Sequence, residues 1–112
     1  MVGQDAVIAV YILANGRNGA LYTGVTSTLA ARMRQHKAGA FEGFSRTYGC
    51  KRLVWYETHP TMLEAIKQEK RIKRWRRTWK LELIEAQNPE WRDLSEDWFE
   101  VPEGPLSWTQ RG

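Results

Sequence analysis

The chain has 112 residues and a formal net charge of +4, from 17 Lys and Arg against 13 Asp and Glu. This length supports one domain with a modest core and excludes two independently folded ones. The single cysteine, Cys50, excludes a disulfide scaffold, and with two histidines it cannot supply a four-ligand zinc site. The longest apolar run, residues 6–14, is too short to span a membrane, and residues 1–5 lack the basic start of a secretory signal. We therefore expect a small soluble protein of the cytoplasm.

Charge is distributed unevenly along the chain. Residues 28–80 contain fourteen Lys and Arg against four Glu, a balance of +10, whereas residues 81–112 contain two Arg against eight Asp and Glu, a balance of −6. A basic stretch of this density is typical of proteins that bind a polyanion such as nucleic acid. A solvated helix face has the same pattern, so charge alone leaves both interpretations open.

The first part of the chain is predicted to form a β-hairpin. Residues 6–14 are rich in β-formers and apolar at both alternating sets of positions, which indicates a strand buried on both faces. Two Asn-Gly steps follow within residues 15–19, and residues 20–25 read as a second strand. Asn and Gly tolerate the positive φ angles that tight hairpin turns require.

The position of the turn decides which residues of the hairpin face each other. A turn centred on Gly16 and Arg17 places Tyr11 directly opposite Tyr22, on one face of the sheet. A longer loop shifts this pairing, so the alignment depends on the turn.

The rest of the chain is predicted to alternate between helix and strand. An α+β fold is therefore expected, with a three-stranded, mainly antiparallel sheet flanked by three helices and an irregular acidic C-terminal tail. The remaining predicted elements are a helix from Leu29 to about Lys37, a loop over 38–49, a strand over 52–57, a helix from Met62 to about Trp75, and a helix from Trp79 to about Ala86 capped by Thr78.

Glu69 lies on the apolar stripe of the second predicted helix. It is three residues from both Ile66 and Ile72, whereas most of the basic residues lie outside that stripe. A carboxylate that points inward is unfavourable unless it is paired or binds a cation. An ion pair with a neighbouring Arg is one solution, and a single Mg²⁺ that keeps much of its hydration is the other.

Four more side chains allow both a structural and a chemical interpretation. Arg32 could lay its stem over the core and pair with Glu, or it could clamp a phosphate. His36, one turn later, could be a boundary histidine or a phosphate or proton contact. Tyr11 and Tyr22, taken alone, would most often be packing residues of the sheet.

Taken together, these residues resemble the GIY-YIG nuclease family. The family pattern is matched by Val10-Tyr11-Ile12, by Tyr22-Thr23-Gly24, by Arg32, and by Glu69 within a helical run. Residues 72–75 and 88–92 also resemble the C-terminal portion of the small stand-alone bacterial proteins of that family. The likeness covers about residues 6–95, and its departures at Val10, Ile12 and Thr23 spare both tyrosines.

The resemblance implies a role for each matching residue. Tyr11 and Tyr22 match the tyrosines of the two motifs, and Arg32 matches the helix arginine. His36 matches a position where the family often has His or Tyr. Glu69 matches the metal-binding glutamate, and Gly24 matches the glycine that closes the second motif.

The implied function is a divalent-metal-dependent endonuclease that hydrolyses DNA phosphodiester bonds, in DNA repair or recombination. Glu69 would hold one Mg²⁺ or Mn²⁺ ion. The nuclease domain would span residues 1–95, followed by an acidic tail over 96–112, and the oligomeric state is left open. The expected contacts to the DNA backbone are Lys67, Lys70, Arg71, Lys73, Arg74, Arg76 and Arg77.

Two other functions fit the same sequence. A catalytically inactive nucleic-acid-binding module would keep the fold and bind without cutting, although it would not need Tyr11, Tyr22, Arg32 and Glu69 together. A protein-interaction adaptor would use the basic surface to meet an acidic partner. The five tryptophans from Trp75 onward could then form a docking surface, or they could pack into the core or under the tail.

Overall fold

The structure, a computed structural model, describes residues 7–38 and 49–98. Most of the predicted loop over 38–49, and the part of the predicted tail beyond Trp98, lie outside the described residues. The expected α+β fold is confirmed: one antiparallel sheet in the order β2-β1-β3 is accompanied by three helices. The elements are β1 (Ala9–Ala14), β2 (Leu21–Thr26), α1 (Leu29–Lys37), β3 (Arg52–Thr58), α2 (Met62–Arg74) and α3 (Arg77–Gln87).

β1 is the central strand, and all six of its residues are buried. Because side chains alternate along a strand, β1 supplies two separate clusters, one on each side of the sheet. We call them the apolar side and the tyrosine side. The apolar side comprises Val10, Ile12, Ala14, Val54, Trp55, Ala65, Ile72, Ile84 and Trp91. The tyrosine side comprises Ala9, Tyr11, Leu13, Leu29, Met33, Cys50 and Leu53.

The hairpin has a different register from the predicted one. The Gly19 N–H donates to the Gly16 carbonyl (3.0 Å), and Asn18 has a φ of 57°, so the turn is centred one residue later than expected. Tyr11 therefore lies opposite Gly24 rather than Tyr22, which faces Leu13. A register shift of two residues preserves the side-chain alternation, so both tyrosines still share one face.

The pairing of β1 with β3 contains one irregularity. Ile12 lies opposite Trp55 and Leu13 opposite Leu53, which leaves Val54 as an extra residue on β3. Such a bulge interrupts the alternation of side chains. This explains why the consecutive residues Val54 and Trp55 both belong to the apolar side.

The two long helices begin in different ways. The Thr61 side chain caps α2 by accepting a hydrogen bond from the Glu64 N–H (3.2 Å). The prediction that Thr78 caps the third helix is wrong, because α3 already begins at Arg77. Its first turn is tied to the hairpin, since the Arg77 guanidinium donates to the Asn18 and Gly19 carbonyls at 2.8 and 2.6 Å.

The segment that follows α3 packs against the edge strand β3. The Asn88 side-chain amide donates to the Val54 carbonyl (3.1 Å), and Trp91 is fully buried. Asp93 forms an ion pair with Lys37 of α1 and accepts a hydrogen bond from the Leu53 N–H (3.2 Å). Among residues 7–38 and 49–98, no helix is long and apolar enough to cross a membrane.

Candidate active site

Three rings meet on the tyrosine side of the sheet. The ring centroids of Tyr11 and Tyr22 are 6.3 Å apart, and that of His36 lies 5.7 Å from Tyr11 and 5.5 Å from Tyr22. The Tyr11 hydroxyl and the His36 Nε2 share a hydrogen bond of 3.1 Å. β1, β2 and α1 each supply one ring, so the sheet and the first helix together fix this triangle.

Gly24 makes room for the Tyr11 ring. A Cβ at position 24 would lie 2.5 Å from the Tyr11 hydroxyl oxygen and 2.6 Å from its Cζ. These distances are far below van der Waals contact, and Tyr11 is itself buried and has little room to move. The observed register puts Gly24 directly opposite Tyr11, which gives this motif glycine a physical purpose.

The positive charge of Arg32 affects the pKa values of both His36 and Tyr11. Burial and, secondly, the nearby Arg32 charge lower the pKa of His36 to about 4. Burial and the neighbouring Tyr22 raise the pKa of Tyr11, and the charge of Arg32 and its hydrogen bond to the phenol only partly oppose them. The phenol and the imidazole are therefore both neutral at physiological pH, with Arg32 as the permanent positive charge beside them.

Glu69 of α2 is the last of the predicted catalytic residues. It is buried, with 8% of its surface exposed, as the helical pattern predicted, and its charge is near enough to raise the pKa of Tyr11. Its Oε2 lies 2.6 Å from the Nζ of Lys73. The predicted alternative of an ion pair with an Arg is thus replaced by a pair with a Lys one turn along the helix.

The residues present fit a single hydrated divalent ion. Within residues 7–38 and 49–98, no group of three or more His, Cys, Asp or Glu is arranged to hold a metal. A cation here would have Glu69 as its protein carboxylate and would keep most of its waters, which suits Mg²⁺. The Lys73 ammonium already demonstrates that this buried carboxylate accepts a cation.

The predicted backbone-contacting cations are exposed but not equivalent. Lys73 is paired with Glu69, and Arg77 donates to two hairpin carbonyls. Arg76 lies over the Trp79 ring, 5.3 Å from its centroid. All seven predicted contacts have exposed side chains: Lys67, Lys70, Arg71, Lys73, Arg74, Arg76 and Arg77.

Sequence reasoning missed the partner of Glu69. A Glu and a Lys four residues apart on a helix are neighbours, so the spacing of Glu69 and Lys73 was the available signal. Lys80 was also missed. Its pKa is lowered by burial and by the charges of Arg77 and Lys73, which shows that these cations lie close together.

Comparison with known proteins identifies the class of domain that this site belongs to. Residues 7–82 match the GIY-YIG catalytic domain. The chain therefore belongs to the GIY-YIG family, a nuclease family whose enzymes generally depend on a divalent metal ion.

Bacterial relatives show which group of proteins within this family the chain resembles. A UPF0213 protein of Aeromonas salmonicida is 34% identical over 94 residues, covering 83% of this chain and 68% of the relative. Another, from Oceanobacillus iheyensis, is 37% identical over 81 residues, covering 72% of this chain and 93% of the relative. The solution NMR structure of the UPF0213 protein BH0048 from Bacillus halodurans superimposes with a TM-score of 0.50 at 27% identity, covering 81% of this chain and 97% of that one. The predicted resemblance to the small stand-alone bacterial group is thereby confirmed.

Proposed function

We propose that this protein is a divalent-metal-dependent endonuclease that hydrolyses DNA phosphodiester bonds. The observation that carries the proposal is the convergence of Tyr11, Tyr22, His36 and Arg32 on one side of the sheet, with Glu69 close by. A packing role alone would not require two phenols, an imidazole, a guanidinium and a carboxylate in one place. Hydrolysis of a phosphodiester uses each of these groups.

Tyr11 and His36 would remove the proton from the attacking water. Burial has the largest effect on the Tyr11 phenol and raises its pKa, outweighing the positive charge of Arg32, which lowers it. A free tyrosinate is therefore a poor candidate for the base. Instead, the Tyr11 oxygen would accept the proton of the water while its own proton passes to Nε2 of His36, along the hydrogen bond of 3.1 Å.

Arg32 and Tyr22 would act on the phosphate. The guanidinium of Arg32 carries a permanent charge next to Tyr11, where it would stabilise the negative charge that develops on the phosphoryl oxygens. Tyr22 is only half-buried, so its hydroxyl can reach a phosphate oxygen or the water.

Glu69 would hold one Mg²⁺ or Mn²⁺ ion. When bound, such an ion neutralises the scissile phosphate and stabilises the departing 3′ oxygen. Burial of the carboxylate excludes water on the protein side, which strengthens its interaction with a cation.

The exposed cations support DNA as the substrate. Lys67, Lys70, Arg71 and Arg74 lie on α2 together with Glu69, so a strand bound there would run past the candidate site. The proposal includes a nuclease domain over residues 1–95 with an acidic tail over 96–112, a cytoplasmic location, and a role in DNA repair or recombination.

Nicking of supercoiled plasmid tests the proposal. We expect the wild type to nick in Mg²⁺ or Mn²⁺ and to stop in EDTA, and we expect Glu69→Gln to lose most of the activity. Glu64→Gln is the matched control, because Glu64 is an exposed carboxylate on the same helix. Absence of nicking by the wild type, or equal nicking by Glu69→Gln, refutes the enzymatic proposal. Salt-dependent binding without cleavage would then favour the inactive binding module.

A further inference from the structure

The ion pair between Lys73 and Glu69 joins a buried group to an exposed one. Glu69 has 10% of its side chain exposed, whereas Lys73 has 53%, and the Nζ–Oε2 distance is 2.6 Å. The carboxylate is fixed by its place on the buried stripe of α2, but the lysine stem reaches it from solvent. The carboxylate can therefore exchange its lysine for another cation without a change in the helix.

A lysine and a divalent ion compete for the same carboxylate. An ammonium in contact with Oε2 repels a second cation at that carboxylate, and the repulsion is strong where water is excluded. In the absence of an ion, Lys73 also offsets the unfavourable burial of the Glu69 charge. The same lysine thus stabilises the ion-free site and opposes the entry of an ion.

The surroundings of Lys73 indicate where it would go once released. Burial lowers the pKa of Lys80, and the charges of Arg77 and then Lys73 lower it further, so the Lys73 charge acts on two neighbouring cations of α3. The glutamate is the counter-charge of this group within the ion pair. An ammonium that leaves Glu69 would add its positive charge to those of Arg77 and Lys80, and such a group of cations favours an incoming phosphate.

We propose that Lys73 is a positioning residue that occupies the Glu69 carboxylate until a divalent cation replaces it, and that the released ammonium then contacts the DNA backbone. This inference rests on the proposed function, because it assumes that Glu69 binds the ion. It changes the role of Lys73 from a permanent DNA contact to one that depends on the ion.

The first measurement is Mn²⁺ affinity by calorimetry, without DNA. Removing the competing charge in Lys73→Met should raise the affinity about tenfold, and Lys73→Arg, which can still pair with Glu69, should resemble the wild type. Lys73→Gln removes the charge but keeps a hydrogen-bond donor for the carboxylate. It replaces Lys73→Met in this measurement if Lys73→Met folds poorly, and it should raise the affinity in the same way. Lys70→Met is the matched control, because Lys70 is an exposed lysine on the same helix; it should change the affinity much less.

The second measurement is the salt dependence of binding to a short DNA duplex. It is made in the Tyr11→Phe background, so that the DNA stays intact, with Mn²⁺ and with EDTA. Adding Mn²⁺ should steepen the slope of log K against log salt by about 0.9, one phosphate contact, when Lys73 is present. The added Lys73→Met change should abolish this difference, whereas Lys70→Met should lower the slope equally in both conditions.

The outcomes separate this inference from the proposed function. If Mn²⁺ binding depends on Glu69 but neither Lys73→Met nor Lys73→Gln changes the affinity, the inference is wrong and the nuclease proposal is untouched. An identical salt slope with and without Mn²⁺ also overturns it. If Glu69→Gln binds Mn²⁺ as well as the wild type does, the metal site of the proposed function fails, and this inference fails with it.

Discussion

The two sides of the sheet are built from the same central strand but differ in what they bury. On the apolar side, β1 contributes Val10, Ile12 and Ala14, which pack with other buried hydrophobic side chains. On the tyrosine side, Tyr11 is hydrogen-bonded to the buried His36, and the charge of Arg32 acts on both groups. Burial of the Tyr11 hydroxyl and the His36 imidazole is tolerated because each serves as the hydrogen-bond partner of the other. The contrast suggests that the apolar side carries more of the stability and that the tyrosine side carries the chemistry.

The sharpest test of this contrast is Tyr11→Phe. Loss of the proton acceptor should lower the nicking rate by about 10²–10⁴-fold. The free energy of unfolding should fall by only about 1 kcal/mol, because one hydrogen bond to His36 is lost and the ring remains. Plasmid nicking and urea denaturation measure the two effects separately.

The neighbouring residue of β1 provides the opposite case as a control. Ile12 is fully buried on the apolar side, and Ile12→Val should lower the free energy of unfolding by about 1 kcal/mol. Its nicking rate should stay close to that of the wild type. Comparable losses of activity in the two variants would show that the sides are not functionally distinct.

Gly24→Ala tests whether the geometry of the tyrosine side matters beyond its chemical groups. The new Cβ would meet the Tyr11 hydroxyl and ring at 2.5–2.6 Å, so either the ring or the strand must move. We expect a loss of about 3 kcal/mol in the free energy of unfolding. A displaced Tyr11 should also reduce nicking by about 100-fold.

Gly16→Ala is the matched control for this substitution. Gly16 lies in the hairpin loop, and a Cβ there would meet nothing within 4 Å. It should be nearly neutral in both assays. Full nicking activity in Gly24→Ala would mean that the position of the Tyr11 ring is not critical.

Local rules were sufficient for much of this architecture. The buried β1, the inward position of Glu69 and the start of α2 after Thr61 follow from alternation, helical period and capping chemistry. The start of α3 did not follow, because Arg77 is anchored by carbonyls of the distant hairpin rather than by a local cap.

The candidate site shows the same division between local and long-range information. The residue set was available from motif resemblance, whereas the pairing of Tyr11 with Gly24 depended on a turn that moved by one residue. The rise in the pKa of Tyr11 depends on burial between sheet and helix, which spacing does not reveal. Two-residue periodicity nevertheless kept both tyrosines on the correct side.

One further effect is expected on stability alone, and it comes from His36. Its pKa is lowered to about 4 in the folded protein, so between about pH 6.5 and 4 the unfolded chain binds a proton that the folded protein does not. The free energy of unfolding should therefore fall as the pH is lowered through this window, by about 2 kcal/mol at pH 5. Urea denaturation at several pH values measures it.

Two comparisons isolate this effect. His36→Gln should lose the pH dependence between about pH 7.5 and 5, whereas His59→Gln, which changes the other histidine of the chain, should keep it. Asp93 cannot account for a change in this window. Burial raises its pKa, but the hydrogen bonds from Lys37 and Ser95 outweigh burial and hold it below its usual range, so its contribution is lost only at more acidic pH. If His36→Gln kept the same pH dependence as the wild type, the tyrosine side would not be holding a neutral imidazole, and the proton route through Nε2 would lose its support.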